Sequence, residues 1–260
     1  MSKVIAIANQ KGGVGKTTTA VNLSSCLAYK GKKVLVIDID PQGNTTSGLG
    51  VEKNSIRKST YDVLINNENI RDAMIDTIVE NLKICPSNVN LAGAEVELVS
   101  VISRETRMKM VLSEIKDDFD FILIDCPPSL GLLTVNALTA SDTILVPIQC
   151  EYYALEGLSQ LMSTVKLVQK HLNQALDVEG VVLTMFDART NLSIQVVEDV
   201  KKYFKNKVYR TVIPRNVRLS EAPSYGLPII LYDPKSKGAE CYMELAEEVI
   251  EYSEEVNKAI

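Results

Sequence analysis

With 260 residues, 46% of them hydrophobic and 23% charged, the chain has material for a full α/β core in a single domain spanning 1–260. No apolar run is long enough to span a bilayer, and no secretory n-region and h-region open the chain. One histidine, His171, near the end of a helical stretch, and five scattered cysteines without a C-x-x-C pair argue against a histidine metal site, an acyl-transfer triad or a disulfide scaffold. They read as surface imidazole and reduced, mostly buried thiols, which places the protein in the cytoplasm.

Apolar runs that read as strands recur at 3–8, 33–38, 82–85, 120–125, 142–147, 179–185 and 208–213. Most are continuous Val/Ile/Leu stretches, as strands covered on both faces are. They alternate with helical patterns, which predicts a mainly parallel twisted sheet flanked by helices on both faces. The first run, Val4–Ala8, leads into Asn9-Gln10-Lys11-Gly12-Gly13-Val14-Gly15-Lys16-Thr17-Thr18-Thr19, then into an amphipathic run from Ala20. Strand, glycine loop and helix in that order form a P-loop. Gly12, Gly13 and Gly15 let successive N–H groups turn inward around an anion, and the helix N-terminus adds partial positive charge. The Lys16 ammonium can reach the outer phosphates of a nucleotide triphosphate, and the Thr17 hydroxyl can ligate Mg²⁺.

The second strand ends in Ile37-Asp38-Ile39-Asp40-Pro41-Gln42-Gly43. Carboxylates two apart on a strand share a face, and ligands of open α/β sheets sit beyond the strands' carboxyl ends, so Asp38 and Asp40 can both approach a γ-phosphate. Residues 45–80 are weakly patterned and read as short helices and loops at the sheet's edge. Phe121-Ile122-Leu123-Ile124-Asp125 is a buried strand ending in an acid, a Walker B pattern that puts Asp125 near Mg²⁺ through a coordinated water. Between 153 and 172, Leu155, Leu158, Leu161, Met162, Val165, Val168 and Leu172 mark one buried helix face.

Net charge is −5, but its distribution is uneven. Residues 199–218 carry seven cations against Asp199, and residues 240–260 carry seven glutamates against Lys258, an asymmetry that can hide a basic face on an acidic protein.

The loop departs from G-x-x-x-x-G-K-[ST] in having Gln10 where glycine is usual and Lys11 before the glycine pair. In this it resembles the deviant Walker A loop of the ParA/MinD/nitrogenase-iron-protein group. The blocks NQKGGVGKTTT, DIDPQGNTTSGLG, IDCPPSLG and VRLSEAPSYGLPI are similar, over nearly the whole chain, to ParA-type segregation ATPases of the Soj kind. The resemblance implies an ATP-dependent homodimer in which Lys11 reaches phosphates held by the other subunit. Asp40 would orient the water or act as base on a switch loop, and Asp38 would order the Mg²⁺ water shell. Pro214 would pack on adenine, Asn216 would hydrogen-bond to it, and Met185 would form the other wall, beside P-loop contacts from Lys11 to Thr18. It also implies nonspecific double-stranded DNA binding through Arg189 and Arg218, with Lys201, Lys202, Lys205, Lys235 and Lys237 as auxiliaries. Stimulation by a ParB/Spo0J-type protein and a nucleoid location complete the expectation, with no membrane partner. The competing readings are a MinD-like membrane ATPase, which needs a basic amphipathic tail where this one is acidic, a nitrogenase-iron-protein-like electron carrier, and a small-molecule kinase or ligase.

Overall fold

The computed structural model describes residues 2–152 and 156–259. Its strands are β1 (Lys3–Ile7), β2 (Val34–Asp38), β3 (Ile75–Asp76), β4 (Leu82–Cys85), β5 (Phe121–Asp125), β6 (Thr143–Gln149), β7 (Asp177–Phe186) and β8 (Val208–Pro214). They form one sheet in the order β3-β4-β2-β5-β1-β6-β7-β8, parallel at every pairing except β3 with β4. Each strand expected from an apolar run is present. The additional one, β3, is a two-residue edge, too short to leave a pattern in sequence.

The helices are α1 (Lys16–Tyr29), α2 (Asn44–Gly48), α3 (Thr60–Ile65), α4 (Ile70–Ala73), α5 (Leu91–Glu97) and α6 (Arg107–Ser113). Then follow α7 (Leu132–Ala140), α8 (Glu156–His171), α9 (Asn191–Phe204), α10 (Val217–Glu221), α11 (Ile229–Tyr232) and α12 (Lys237–Ala259). Alternate strand residues go to opposite faces. Val4, Ala6, Leu35, Ile37, Ile122 and Ile124 pack toward residues of α3 to α9, whereas Ile5, Ile7, Val34, Val36 and Leu123 pack toward α1, α11 and α12. The stripe on α8 is buried as its spacing requires, at Leu158, Leu161, Val165 and Val168; Leu155 lies outside the described residues. His171 is exposed, and all five cysteines are free and buried. Burial pushes the Cys26 and Cys85 thiols up to about 12, so they behave as small apolar side chains.

β1 sits between β5 and β6, where connections begin to run to opposite sides of the sheet. The crevice beyond its carboxyl end is the place such a sheet offers to a ligand. Behind that rim, Gly50 (φ 78) and Gly226 (φ 64) bring two chain segments into backbone contact. A Cβ on Gly226 would lie 3.0 Å from Gly50 Cα, and one on Gly50 would lie 3.0 Å from Gly226 O. Gly226→Ala adds a left-handed non-glycine residue to that clash and is expected to cost about 1–3 kcal/mol. Thermal unfolding should show the melting temperature falling by several degrees; an unchanged value would mean that the two segments part without penalty.

Candidate active site

The P-loop takes its shape from bonds that the motif does not announce. Asn9 Nδ2 donates to Pro147 O at 2.7 Å, while its Oδ1 accepts from Lys11 N at 3.1 Å. Thr184 Oγ1, on β7, donates to Val14 O at 2.8 Å. Gly13 and Gly15 hold φ of 74 and 92, and nothing lies within 4 Å of a Cβ placed on Gly12 or Gly13. Gly12 and Gly13 are both exposed, so this part of the loop is open to solvent. Gly15 caps α1 without a side-chain acceptor, so the N–H groups of the first turn, including those of Lys16, Thr17 and Thr18, remain available to an anion. Lys16 is buried, and its Nζ donates to Lys11 O at 3.1 Å. Burial pulls the Lys16 ammonium below its usual range, against the opposing pull of Asp125, Cys126 and Asp40. Lys11 is half-buried and its ammonium has no ion-pair partner among the described residues.

Three strand-end acids face this loop. Asp38 and Asp125 stand opposite each other in the β2–β5 register, and Ile7, at the loop's root, pairs with Asp125 on the other side. Asp125 Oδ2 accepts from Thr17 Oγ1 at 2.9 Å and from Thr45 Oγ1 at 2.7 Å. Its Oδ1 is buried with no hydrogen-bond partner. Burial, then the neighbouring Asp38 charge, push the Asp125 carboxyl up to about 7. Burial also raises Asp38 to about 6, although Oδ2 receives both the N–H and the hydroxyl of Thr46. A buried acceptor left bare among acids is a site short of positive charge. Among the described residues no group of three or more His, Cys, Asp or Glu is placed to hold a metal. A cation beside Thr17 and Asp125 would thus take its remaining ligands from phosphate and water, which is how Mg²⁺ usually binds with nucleotides.

A family model described as an AAA domain matches residues 2–178. The sporulation initiation inhibitor protein Soj of Bacillus subtilis is 67% identical over 249 residues, covering 96% of this chain and 98% of that protein. The chain belongs to the Soj/ParA family of chromosome-partitioning ATPases. The chromosome partitioning protein ParA of Caulobacter vibrioides is 52% identical, with 95% and 94% covered. Among solved structures, a Mycobacterium smegmatis protein described as cobyrinic acid a,c-diamide synthase with bound ADP and magnesium has a TM-score of 0.86, 37% identity and coverage of 98% and 96%. The cell division ATPase MinD of Pyrococcus furiosus has a TM-score of 0.79, 32% identity and coverage of 96% and 99%.

In this ParA-family chain the expected base-binding residues end neighbouring strands. Phe186 pairs with Pro214, and Arg215 N donates to Phe186 O at 3.1 Å. Met185 takes a φ of 51, rare for a side chain of its size, where the β7–β8 register shifts. Asn216 caps α10, its Oδ1 accepting from Arg218 N at 2.8 Å and Leu219 N at 3.4 Å, so its NH₂ is the group left for a ligand.

The basic segment is less bare than its sequence suggests. Arg210 pairs with Glu248 and Glu251 at 3.3 and 3.1 Å, Lys207 with Asp177 at 3.0 Å, and Arg215 with Glu151 at 3.4 Å. Two glutamates of the acidic tail, Glu248 and Glu251, therefore answer Arg210 of the basic segment within one molecule, and Asp177 and Glu151 answer two more of its cations. Lys201, Lys205 and Lys235 are exposed and have no ion-pair partner among the described residues. Arg189 lies against Asp187 through two hydrogen bonds of 2.9 and 2.7 Å, which hold the Asp187 carboxyl at about 2. Arg218 pairs with Glu221 at 2.9 Å and Asp233 at 3.4 Å. Both arginines are largely exposed, so these pairs are screened and exchangeable.

Sequence reasoning missed Asn9, Thr45, Thr46, Ser87 and Thr184, which hold the loops that carry the chemistry. No local signal marks Thr45, Thr46 or Ser87, whereas Asn9 and Thr184 lie close to the carboxyl ends of β1 and β7, on the rim already assigned to phosphate.

Proposed function

We propose that this chain is a DNA-segregation ATPase, one functional unit over 1–260, that binds ATP with Mg²⁺ and pairs into a homodimer around two nucleotides. The dimer holds double-stranded DNA without sequence preference, at the nucleoid, and hydrolyses ATP when a ParB-type protein engages it. The observation that carries the reading is Lys11, a cation within the P-loop that has no ion-pair partner among the described residues. Its place suits an anion supplied from outside the chain.

Mg²⁺, when bound, would supply positive charge against the phosphates. Thr17 Oγ1 and Asp125 are the groups that would hold it, the latter through water, with Asp38 behind. The P-loop N–H groups and Lys16 bind the phosphates, Lys11 adds charge from the second subunit, and Asp40 orients the attacking water. Met185, Pro214 and Asn216 receive the adenine. A site completed only by pairing is slow until assembled, as a timer must be.

DNA retention rests on charge. Arg189 and Arg218 each follow a rim strand, and their acidic partners can be exchanged for backbone phosphates. Arg189→Glu with Arg218→Glu is expected to abolish retention on a nonspecific duplex at low salt and to leave the ATP-dependent dimer intact. Unchanged retention would remove both residues from the DNA surface. The reading as a whole is tested by light scattering in ADP and in ATP, with and without duplex DNA. Monomer in ADP and dimer in ATP are expected; a monomer in saturating ATP–Mg²⁺ even with hydrolysis blocked overturns the proposal.

The likeness to MinD favours a second reading, attachment to a lipid surface. Against it, Tyr242, Leu245, Ala246 and Val249 on α12 are already buried against α1 and β8, and Glu247 of the same helix pairs with Lys30. Sedimentation with anionic liposomes in ATP separates the two readings.

A further inference from the structure

Thr46 lies on α2, in the stretch with the least sequence pattern, and is fully buried. Its N–H and hydroxyl both donate to Asp38 Oδ2, at 2.8 and 2.7 Å. The same hydroxyl oxygen accepts from Ser87 N at 2.9 Å. Ser87, just beyond β4, donates its own hydroxyl to Asp40 O at 2.7 Å. Asp40 N donates to Asp38 Oδ1 at 3.2 Å, closing the circuit. The ring runs Asp38, Asp40, Ser87, Thr46 and back to Asp38. It grips Asp40 at its N–H and its carbonyl, while Gln42 N donates to Asp40 Oδ1 at 2.9 Å.

A side chain at position 46 must do two opposite things in this ring, donate to a carboxylate and accept from an amide. A hydroxyl does both, and an alkyl group of the same shape does neither. We propose that Thr46 is a positioning residue for ATP hydrolysis, its hydroxyl closing the ring that fixes the Asp40 carboxylate against the γ-phosphate. The inference rests on the role given to Asp40 under Proposed function. Thr46 touches no phosphate in this scheme. It acts on the rate through Asp40, and the size of the effect follows from how steeply catalysis depends on placement.

Thr46→Val keeps the shape and the backbone bond to Asp38 and removes the hydroxyl. In single-turnover and steady-state ATP hydrolysis, kcat is expected to fall roughly 10- to 100-fold with KM for ATP and affinity for ADP within about twofold. Thr46→Ser is expected to recover most of the loss. In an Asp40→Ala background, Thr46→Val should cost less than about twofold more, because the group it positions is gone. Equal losses in both backgrounds, or a loss of nucleotide affinity in place of kcat, would assign Thr46 a purely structural role and overturn the inference. So would wild-type kcat in Thr46→Val. If that variant melts below the assay temperature, Thr46→Cys, which keeps a weak donor, takes its place in the same two backgrounds. Wild-type turnover by Asp40→Ala overturns the underlying reading; loss in Asp40→Ala with none in Thr46→Val overturns the positioning role alone.

Discussion

Asp40→Ala is expected to bind ATP, form the dimer, stay on DNA and hydrolyse roughly 10²- to 10⁴-fold more slowly, the contribution of a placed acid–base group. Asp40 lies two residues past the end of β2, beyond the sheet, and is 8% exposed. Its Oδ1 is occupied by Gln42 N, and no hydrogen bond is seen to Oδ2 among the described residues. One carboxylate oxygen is therefore anchored and the other is available to a water. Alanine leaves Gly12 to Thr18 untouched, so affinity for nucleotide should hold while turnover falls. Sizing in ATP–Mg²⁺ should then find a persistent dimer, while the wild-type protein is expected to return to monomer as ATP is consumed. Normal hydrolysis by Asp40→Ala would take the water-orienting role away from this residue and leave the loop between β2 and α2 as scaffold.

The parts legible in sequence share a physical reason. Buried parallel strands need unbroken apolar runs, so β1, β2 and β4 to β8 could be read directly, and a phosphate loop needs glycines at fixed spacing. Asp125 could be read because an acid closing an apolar run stands out. Thr45, Thr46 and Ser87 could not, because a lone hydroxyl has no period and is common in any loop. Their role arises only where β2, β4 and β5 lie side by side, contacts separated by 40 or more positions in the chain. The pairing of Arg210 with Glu248 was hidden likewise, since a count of charges along the chain says nothing of which faces meet. The backbone of Met185, a residue expected at the rim, is a third kind of omission. Its positive φ follows from a register shift between β7 and β8, a property of the pair and not of either strand.

Asp125→Asn is expected to make the nucleotide-free protein more stable while removing Mg²⁺-dependent turnover. Burial pushes Asp125 up to about 7 and Asp38 up to about 6, against an ordinary value of 3.8 for each. A carboxyl whose folded pKa lies above its unfolded one favours folding when protonated. That contribution is complete below about pH 4 and is lost as pH rises through the folded value. The nucleotide-free wild-type protein should therefore melt several degrees higher at pH 5.5 than at pH 7.5. Asparagine carries no charge to desolvate, keeps an oxygen for the Thr17 and Thr45 hydroxyls, and removes the negative charge that neighbours Asp38. At pH 7.5 the variant should melt above the wild-type protein, and its slope between the two pH values should be shallower, since of this pair only Asp38 is left to titrate. Addition of ATP–Mg²⁺ should raise the wild-type melting temperature by more than ATP with a chelator does, and the variant should lose that difference. A variant less stable than wild type at pH 7.5 would mean that the bare oxygen of Asp125 is already compensated without a cation. The acid would then be a structural part of the rim, and its burial without a partner for Oδ1 would no longer point to a cation.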